Sequence, residues 1–147
     1  MPADFFIDSV RGIVFSKAIG TCSRTDILGH MDRLRGHPDF RPEMDQLFDF
    51  RQVTNAAFSD EDVRMLATRN IFRGNSKRAL VVSSDEHFGL GRMFETYREL
   101  EGEHGITIFR EMDDALAWLS LSAEPDTKLF IKLAPPIVDA QSCDAAL

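Results

Sequence analysis

Residues Leu47-Phe48-Asp49-Phe50-Arg51-Gln52-Val53, followed shortly by Ser59-Asp60-Glu61-Asp62, are the stretch that decides the fold. Because the first run is short and apolar, residues 46–50 are predicted to form a buried strand with Asp49 near its end. Ser59 and Asp62 form a capping-box pattern, which predicts the start of a helix. A strand, a loop and a capped helix are typical of an α/β domain, in which functional groups gather at strand ends.

The composition limits the classes of function. The chain has 147 residues and a net charge of −7, from 24 acidic and 17 basic side chains. The length suits one domain, and the acidic balance disfavours nucleic-acid binding, for which a basic stripe is expected. No apolar run reaches the roughly 18 residues that span a bilayer. Residues 1–4 lack the basic region of a secretory signal, so a cytoplasmic protein without a transmembrane segment is expected.

The rest of the chain alternates between strand and helix patterns. Two short apolar runs around Arg11-Gly12 predict a β-hairpin, and Ser23 with Asp26 predicts a second capped helix start. The predicted order is ββαβαβαβα, with strands at 5–7, 13–15, 46–50, 79–82 and 106–109, and helices at 23–36, 59–74, 87–101 and 113–121. Strands joined by helices pair in parallel through right-handed crossovers. The prediction is therefore an α/β domain with a mixed five-stranded sheet packed by about four helices.

The domain is predicted to end at residue 121. Residues 122–147 form a C-terminal extension, punctuated by Pro125, Pro135 and Pro136. Within this extension, the apolar run at 128–133 predicts an extra strand. Such a strand is a sticky edge when exposed, so we expect it to dock on the domain or on a second subunit.

Several segments together resemble the SpoIIAA-like bacterial family, which is similar to STAS domains and to CRAL-TRIO lipid-binding domains. The resemblance spans about residues 4–121, and its segments are 47–53 with Ser59, 78–82, 88–94 and 109–119. In the anti-sigma-factor antagonists of the STAS group, a strand that ends in Asp precedes a phosphorylated serine at a helix N-terminus. The resemblance implies a switch or ligand loop, with the candidate residues Asp49, Arg51, Ser59, Ser83 and Ser84.

Ser59 differs from the antagonist pattern. It stands one position late, and Phe58 occupies the place of the acidic residue that precedes the serine in antagonists. The three acidic residues after Ser59 suit the positive end of a helix dipole and would repel a phosphate. The sequence therefore favours Ser59 as a helix cap over a phosphorylation site.

A basic segment follows the second predicted helix start. Residues 63–84 contain several bases and no acid, and a further base comes from the next helix. The segment is either a solvated helix face or an anion patch for a phosphate, a lipid headgroup or an acidic partner. The candidate patch residues are Arg69, Arg73, Lys77, Arg78 and Arg92.

Three other patterns leave alternatives open. The aromatic residues Phe72, Phe88, Phe94, Phe109 and Trp118 either fill the core or line an apolar cavity. Asp26 and His30 stand one helical turn apart, which is the spacing of a helix-stabilising pair or of half a metal site. The glycines of the run 89–91 lack the third glycine of a dinucleotide loop, so a close helix–sheet approach is favoured.

No catalytic constellation is evident, and the sequence predicts neither a metal nor a cofactor. The resemblance implies a non-enzymatic binding or regulatory module of STAS-like type, which acts through a protein partner or by self-association as a homodimer. The alternative is a carrier of a small apolar or lipid-like ligand, held between the helices and the sheet. An apolar cavity favours the carrier, whereas an exposed apolar patch favours a partner.

Overall fold

The computed structural model of the protein describes residues 3–122. Its elements are β1 (Ala3–Asp8), β2 (Ile13–Ser23), α1 (Arg24–Arg35), β3 (Asp45–Ala57), α2 (Asp60–Ala67), β4 (Arg78–Val81), α3 (Asp85–Leu100), β5 (Ile106–Phe109) and α4 (Met112–Trp118). This is the predicted ββαβαβαβα order. The predicted extension 122–147, with its extra strand at 128–133, lies outside the described residues except for residue 122.

The strands form one five-stranded sheet in the order β1-β2-β3-β4-β5. The β1–β2 pair is antiparallel, and the other three pairs are parallel. In the hairpin, Asp8 Oδ1 accepts from the backbone N–H groups of Val10 and Arg11, and Gly12 has a φ of +70°. The mixed sheet predicted from the sequence is therefore confirmed.

Serine side chains begin three of the helices. Ser23 and Ser59 each form a capping box, with Asp26 and Asp62 respectively. Ser84 accepts from the backbone N–H of His87 at the start of α3. Each cap satisfies a backbone donor that has no partner within the helix.

The predicted ends of β2, β3 and α2 were wrong, because strand pairing lengthens the two strands and a side-chain hydrogen bond accompanies the early end of the helix. β2 and β3 continue to Ser23 and Ala57, since they pair with each other along this length despite the polar composition of residues 51–57. The helix α2 ends at Ala67 rather than near Gly74. There the side-chain oxygen of Asn70 accepts from the backbone N–H of Phe72, a local bond that competes with helix continuation.

The sheet carries helices on both faces. We call the face covered by α1, α2 and α3 the three-helix face, and the face covered by α4 the α4 face. On the α4 face, Phe15, Leu47 and Val81 pack with Ala115 and Leu116. Neighbouring strand residues point the other way, and Phe48, Leu80 and Ile108 belong to the core of the three-helix face. Within residues 3–122, no helix is long and apolar enough to cross a membrane.

Candidate functional site

A cavity of about 120 Å³ lies between the three-helix face and the helices above it. Its walls are largely apolar and include Ile27 of α1, Phe48 and Phe50 of β3, Leu66 of α2 and Phe94 of α3. Ile27, Phe50 and Phe94 are half-buried, which places the cavity within reach of solvent. The site is therefore a small apolar chamber with a mouth at the protein surface.

A few polar side chains also line this cavity: His30, Gln46, Arg69, Arg78 and His87. His30, Gln46 and Arg78 are buried, with 1%, 2% and 9% of their surfaces exposed. Buried polar groups are costly unless they are hydrogen-bonded, so their partners decide what this part of the wall can do.

These buried side chains form a continuous chain of hydrogen bonds. His30 Nε2 lies 2.9 Å from Ser16 Oγ, and Gln46 Nε2 donates to the same hydroxyl at 3.1 Å. At the other end of the amide, Gln46 Oε1 accepts from Arg78 Nε at 3.3 Å. The chain fixes the orientation of the polar groups along the cavity wall.

His30 is neutral in this site. Burial, helped by the charges of Arg33 and Arg78, lowers its pKa from 6.5 to about 3. Its other ring nitrogen, Nδ1, is buried and has no hydrogen-bond partner among residues 3–122. Nδ1 of His87 has the same status within the described part of the chain. The apolar cavity thus has two unpaired polar atoms in residues of its wall.

Arg78, at the end of the hydrogen-bond chain away from His30, is held in place by a buried ion-pair cluster. Its guanidinium lies 3.2 Å from Glu103 and stacks over the Phe72 ring at 4.6 Å. Arg98 also binds Glu103, at 2.7 Å, and donates to the carbonyl oxygen of Ala67. Burial lowers the pKa of Arg78, and the carboxylate of Glu103 opposes that shift. Arg78 therefore remains a fixed, charged donor.

The predicted switch or ligand loop is only partly assembled, and Asp49 and Arg51 lie within β3 rather than at its end, beside the point where β4 stops. Asp49 is buried, and its carboxylate accepts from the backbone N–H, Nε and Nη2 of Arg51, at 2.9 to 3.0 Å. Ser83 donates to the backbone carbonyl of Arg51 at 3.2 Å. Ser59 and Ser84 instead cap α2 and α3, so these two hydroxyls serve the local helix starts.

The five bases of the predicted anion patch lie in different surroundings. Lys77 binds the carbonyl oxygen of Trp118 and lies over its ring, next to α4. Arg78 points to the three-helix face and is buried. Arg69 lies 3.8 Å from Asp32, and Arg92 pairs with Glu95 within α3. Among them, Arg69 and Arg78 share the apolar cavity.

Arg73 contacts a different part of the surface. It lines a second, more polar cavity of about 190 Å³, together with Ser76 and the Arg98–Glu103 pair. The five bases of the predicted patch therefore lie at several separate places, which include the α4 face of the sheet and the wall of the apolar cavity. The five bases do not form the single surface that the anion-patch interpretation requires.

The aromatic set is divided between the two faces. Phe72 and Phe94 line the cavity, and Phe88 packs in the core of the three-helix face. Phe109 and Trp118 contact each other on the α4 face, with ring centroids 5.6 Å apart. Both alternatives for these residues hold in part, because some line the cavity and the others fill core.

The two remaining sequence patterns, the Asp26–His30 spacing and the glycines of residues 89–91, had different outcomes. Asp26 is held by the capping box of Ser23, and His30 faces Ser16 inside the protein, so they do not form the helix-stabilising pair that was one of the two alternatives. Gly89 and Gly91 lie within α3. A Cβ on Gly91 would come within 3.0 Å of Ile108, which supports the interpretation of a close helix–sheet approach.

The roles of Ser16 and Gln46 were not predicted from the sequence, and the role of His30 differs from both alternatives that its spacing suggested. A signal was present, because His30 falls on the apolar side of α1 defined by Ile27 and Leu34. Ser16 and Gln46 are buried positions within strands, where apolar residues are the rule. Polar residues at core positions therefore marked the site.

Comparison with known proteins gives a match in fold. No protein-family model matches the chain, and no curated protein matches it. Among solved structures it is similar to an uncharacterized protein of the DUF3478 family with a SpoIIAA-like fold from Shewanella loihica PV-4. The identity is 18%, the match covers 73% of this chain and 83% of that chain, and the TM-score is 0.48. The similarity concerns the fold that the sequence predicted and carries no statement about function.

Proposed function

We propose that this protein is a non-enzymatic cytoplasmic module that binds and carries a small apolar or lipid-like ligand. The observation that supports the proposal is the apolar cavity between α1, α2, α3 and the sheet. Ligand sites are typically concave, mostly apolar and furnished with a few polar groups. The cavity has this character, with aromatic and aliphatic walls and the buried His30–Ser16–Gln46–Arg78 chain.

The size of the cavity limits the ligand. Its volume of about 120 Å³ is close to that of a cavity of about 150 Å³ that accepts benzene in another protein. A ring or a short branched chain therefore fits inside, and a longer tail would leave through the mouth. Each Å² of apolar ligand surface removed from water contributes roughly 25 cal/mol, so a ring-sized group gives useful affinity.

The alternative, binding to a protein partner or to a second copy, has less support in the described part of the chain. There the large hydrophobic side chains that are strongly exposed are Val10 and Leu100. Val10 lies in the β1–β2 turn, and Leu100 lies at the end of α3. Isolated apolar residues of this kind are normal on a protein surface, whereas a partner site needs a contiguous patch.

Native mass spectrometry of freshly purified full-length protein tests the proposal. We expect a species heavier than the polypeptide, whose extra mass is released by denaturation and recovered in an organic extract. The same spectrum reports whether the protein is a monomer or a homodimer. An unliganded mass, together with no saturable binding of toluene in an NMR titration, would contradict the carrier function.

A further inference from the structure

The hydrogen-bond chain beside the cavity has a fixed direction. Arg78 can only donate, so its bond to Gln46 Oε1 identifies that atom as the amide oxygen. The other end of the amide is then an NH₂ group, which donates to Ser16 Oγ. The single proton of Ser16 is left to donate to His30 Nε2, 2.9 Å away. A neutral imidazole that accepts at Nε2 carries its proton on Nδ1.

The opposite tautomer leaves more groups unpaired. If His30 Nε2 carried the proton and donated to Ser16, the buried Ser16 hydroxyl would already accept two bonds. Both hydrogen-bond neighbours of the Ser16 hydroxyl would then be donors, so its own proton would have no acceptor in either of them, and His30 Nδ1 would also lack a donor. In the first tautomer, one group is unpaired, namely the Nδ1–H of His30. Because each unpaired buried polar group is costly, the first tautomer is favoured.

We propose that the cavity selects neutral apolar ligands that carry a hydrogen-bond acceptor oxygen, such as a ketone, an aldehyde or an ester, which accepts from Nδ1–H of His30. The inference rests on the proposed function and names the ligand class for that site. A purely apolar ligand leaves this buried donor unpaired, whereas a carbonyl oxygen satisfies it. The site therefore discriminates by chemistry as well as by size.

The charges around the cavity favour a neutral ligand over a carboxylate. The charge of Arg78 is already matched by Glu103, 3.2 Å away. Arg69, the other base in the wall, is exposed and lies 3.8 Å from Asp32. An anion held at His30 would be buried, and burying a charge is far more costly than burying a carbonyl group.

Two ligands of nearly identical shape test the inference on the unmodified protein. Acetophenone carries a carbonyl oxygen where α-methylstyrene carries a CH₂ group. We expect acetophenone to bind roughly three- to tenfold more tightly, the range for one net hydrogen bond, as measured by NMR titration. In His30→Phe the two affinities should become equal. A control, His104→Phe at an exposed position, should keep the difference.

Nitrogen NMR of the His30 ring gives a readout that does not depend on folding of a variant. At neutral pH we expect Nδ1 to be the protonated nitrogen, and its resonance to shift with acetophenone more than with α-methylstyrene. Protonation at Nε2, or equal affinities for the two ligands, would overturn the inference and leave the carrier function standing. Failure of both ligands to bind would contradict the carrier function as well.

Discussion

His30 of α1 and Ser16 of β2 meet inside the protein, with Nε2 and Oγ 2.9 Å apart and each residue 1% exposed. The bond joins the first helix to the second strand at the wall of the cavity. Ser16 also receives the Gln46 amide, so one hydroxyl holds two polar side chains in place. The position of α1 therefore fixes where the polar side chains lie along the cavity wall.

The neutral state of His30 predicts a loss of stability in acid. Its pKa is lowered from 6.5 to about 3 in the folded protein, chiefly by burial. As the pH falls below the unfolded value of about 6.5, the unfolded chain takes up a proton that the folded protein does not. The free energy of unfolding should therefore decrease between pH 6.5 and 3, by up to about 1.4 kcal/mol per pH unit.

Urea denaturation at a series of pH values measures this effect. His30→Gln removes the titrating group and should flatten the decline relative to the unmodified protein. The exposed His104→Gln should leave the decline unchanged. A His30→Gln variant whose stability follows pH as steeply as the unmodified protein would show that His30 does not carry the dependence.

The cluster of Arg78, Arg98 and Glu103 predicts a large effect from one substitution. Glu103→Gln leaves two buried guanidinium groups without their shared carboxylate. Removing one partner of a buried ion pair costs about 3–5 kcal/mol of unfolding free energy. Glu95→Gln, which affects the pair with the more exposed Arg92, should cost at most about 1 kcal/mol. Equal costs in chemical denaturation would refute the structural role of Glu103.

Ser59 is predicted to act as a helix cap. Its hydroxyl accepts from the Asp62 backbone N–H at 3.1 Å, and the Asp62 carboxylate accepts from the Ser59 N–H at 3.0 Å. Ser59→Ala should lower the unfolding free energy by about 1 kcal/mol, and Ser59→Asn, which retains a capping oxygen without adding a charge, should be close to neutral. Thermal denaturation of both variants tests this, and equal stability of Ser59→Ala and the unmodified protein would contradict it.

Local patterns predicted the architecture well and the site poorly. The strand at 106–109 and the capping boxes at Ser23 and Ser59 depend on residues close in sequence, and they are confirmed. The long β2–β3 pairing joins residues 13–23 to 45–57, a non-local contact that no local pattern reveals. The cavity depends on how three helices pack on the sheet, so local patterns could mark a polar residue at a core position but could not show which of these residues meet along the cavity wall.

Filling the cavity should abolish ligand binding with little harm to the fold. Leu66 lines the cavity, and its neighbour Met65 on α2 does not. The larger side chain of Leu66→Phe would occupy part of the cavity, so we expect at least a tenfold loss of affinity for toluene. Met65→Phe should bind toluene as tightly as the unmodified protein does. NMR titration of the two variants measures the difference. Equal affinities would place the ligand elsewhere.

A methyl-group NMR titration of the unmodified protein with toluene tests the central claim most directly. Saturable shifts are expected at the cavity methyl groups of Ile27, Leu66 and Leu80, with little change at Leu47 and Leu116 on the α4 face. That result would locate an apolar ligand between the three helices and the sheet. Shifts confined to the α4 face, or no saturable shift at all, would contradict the account.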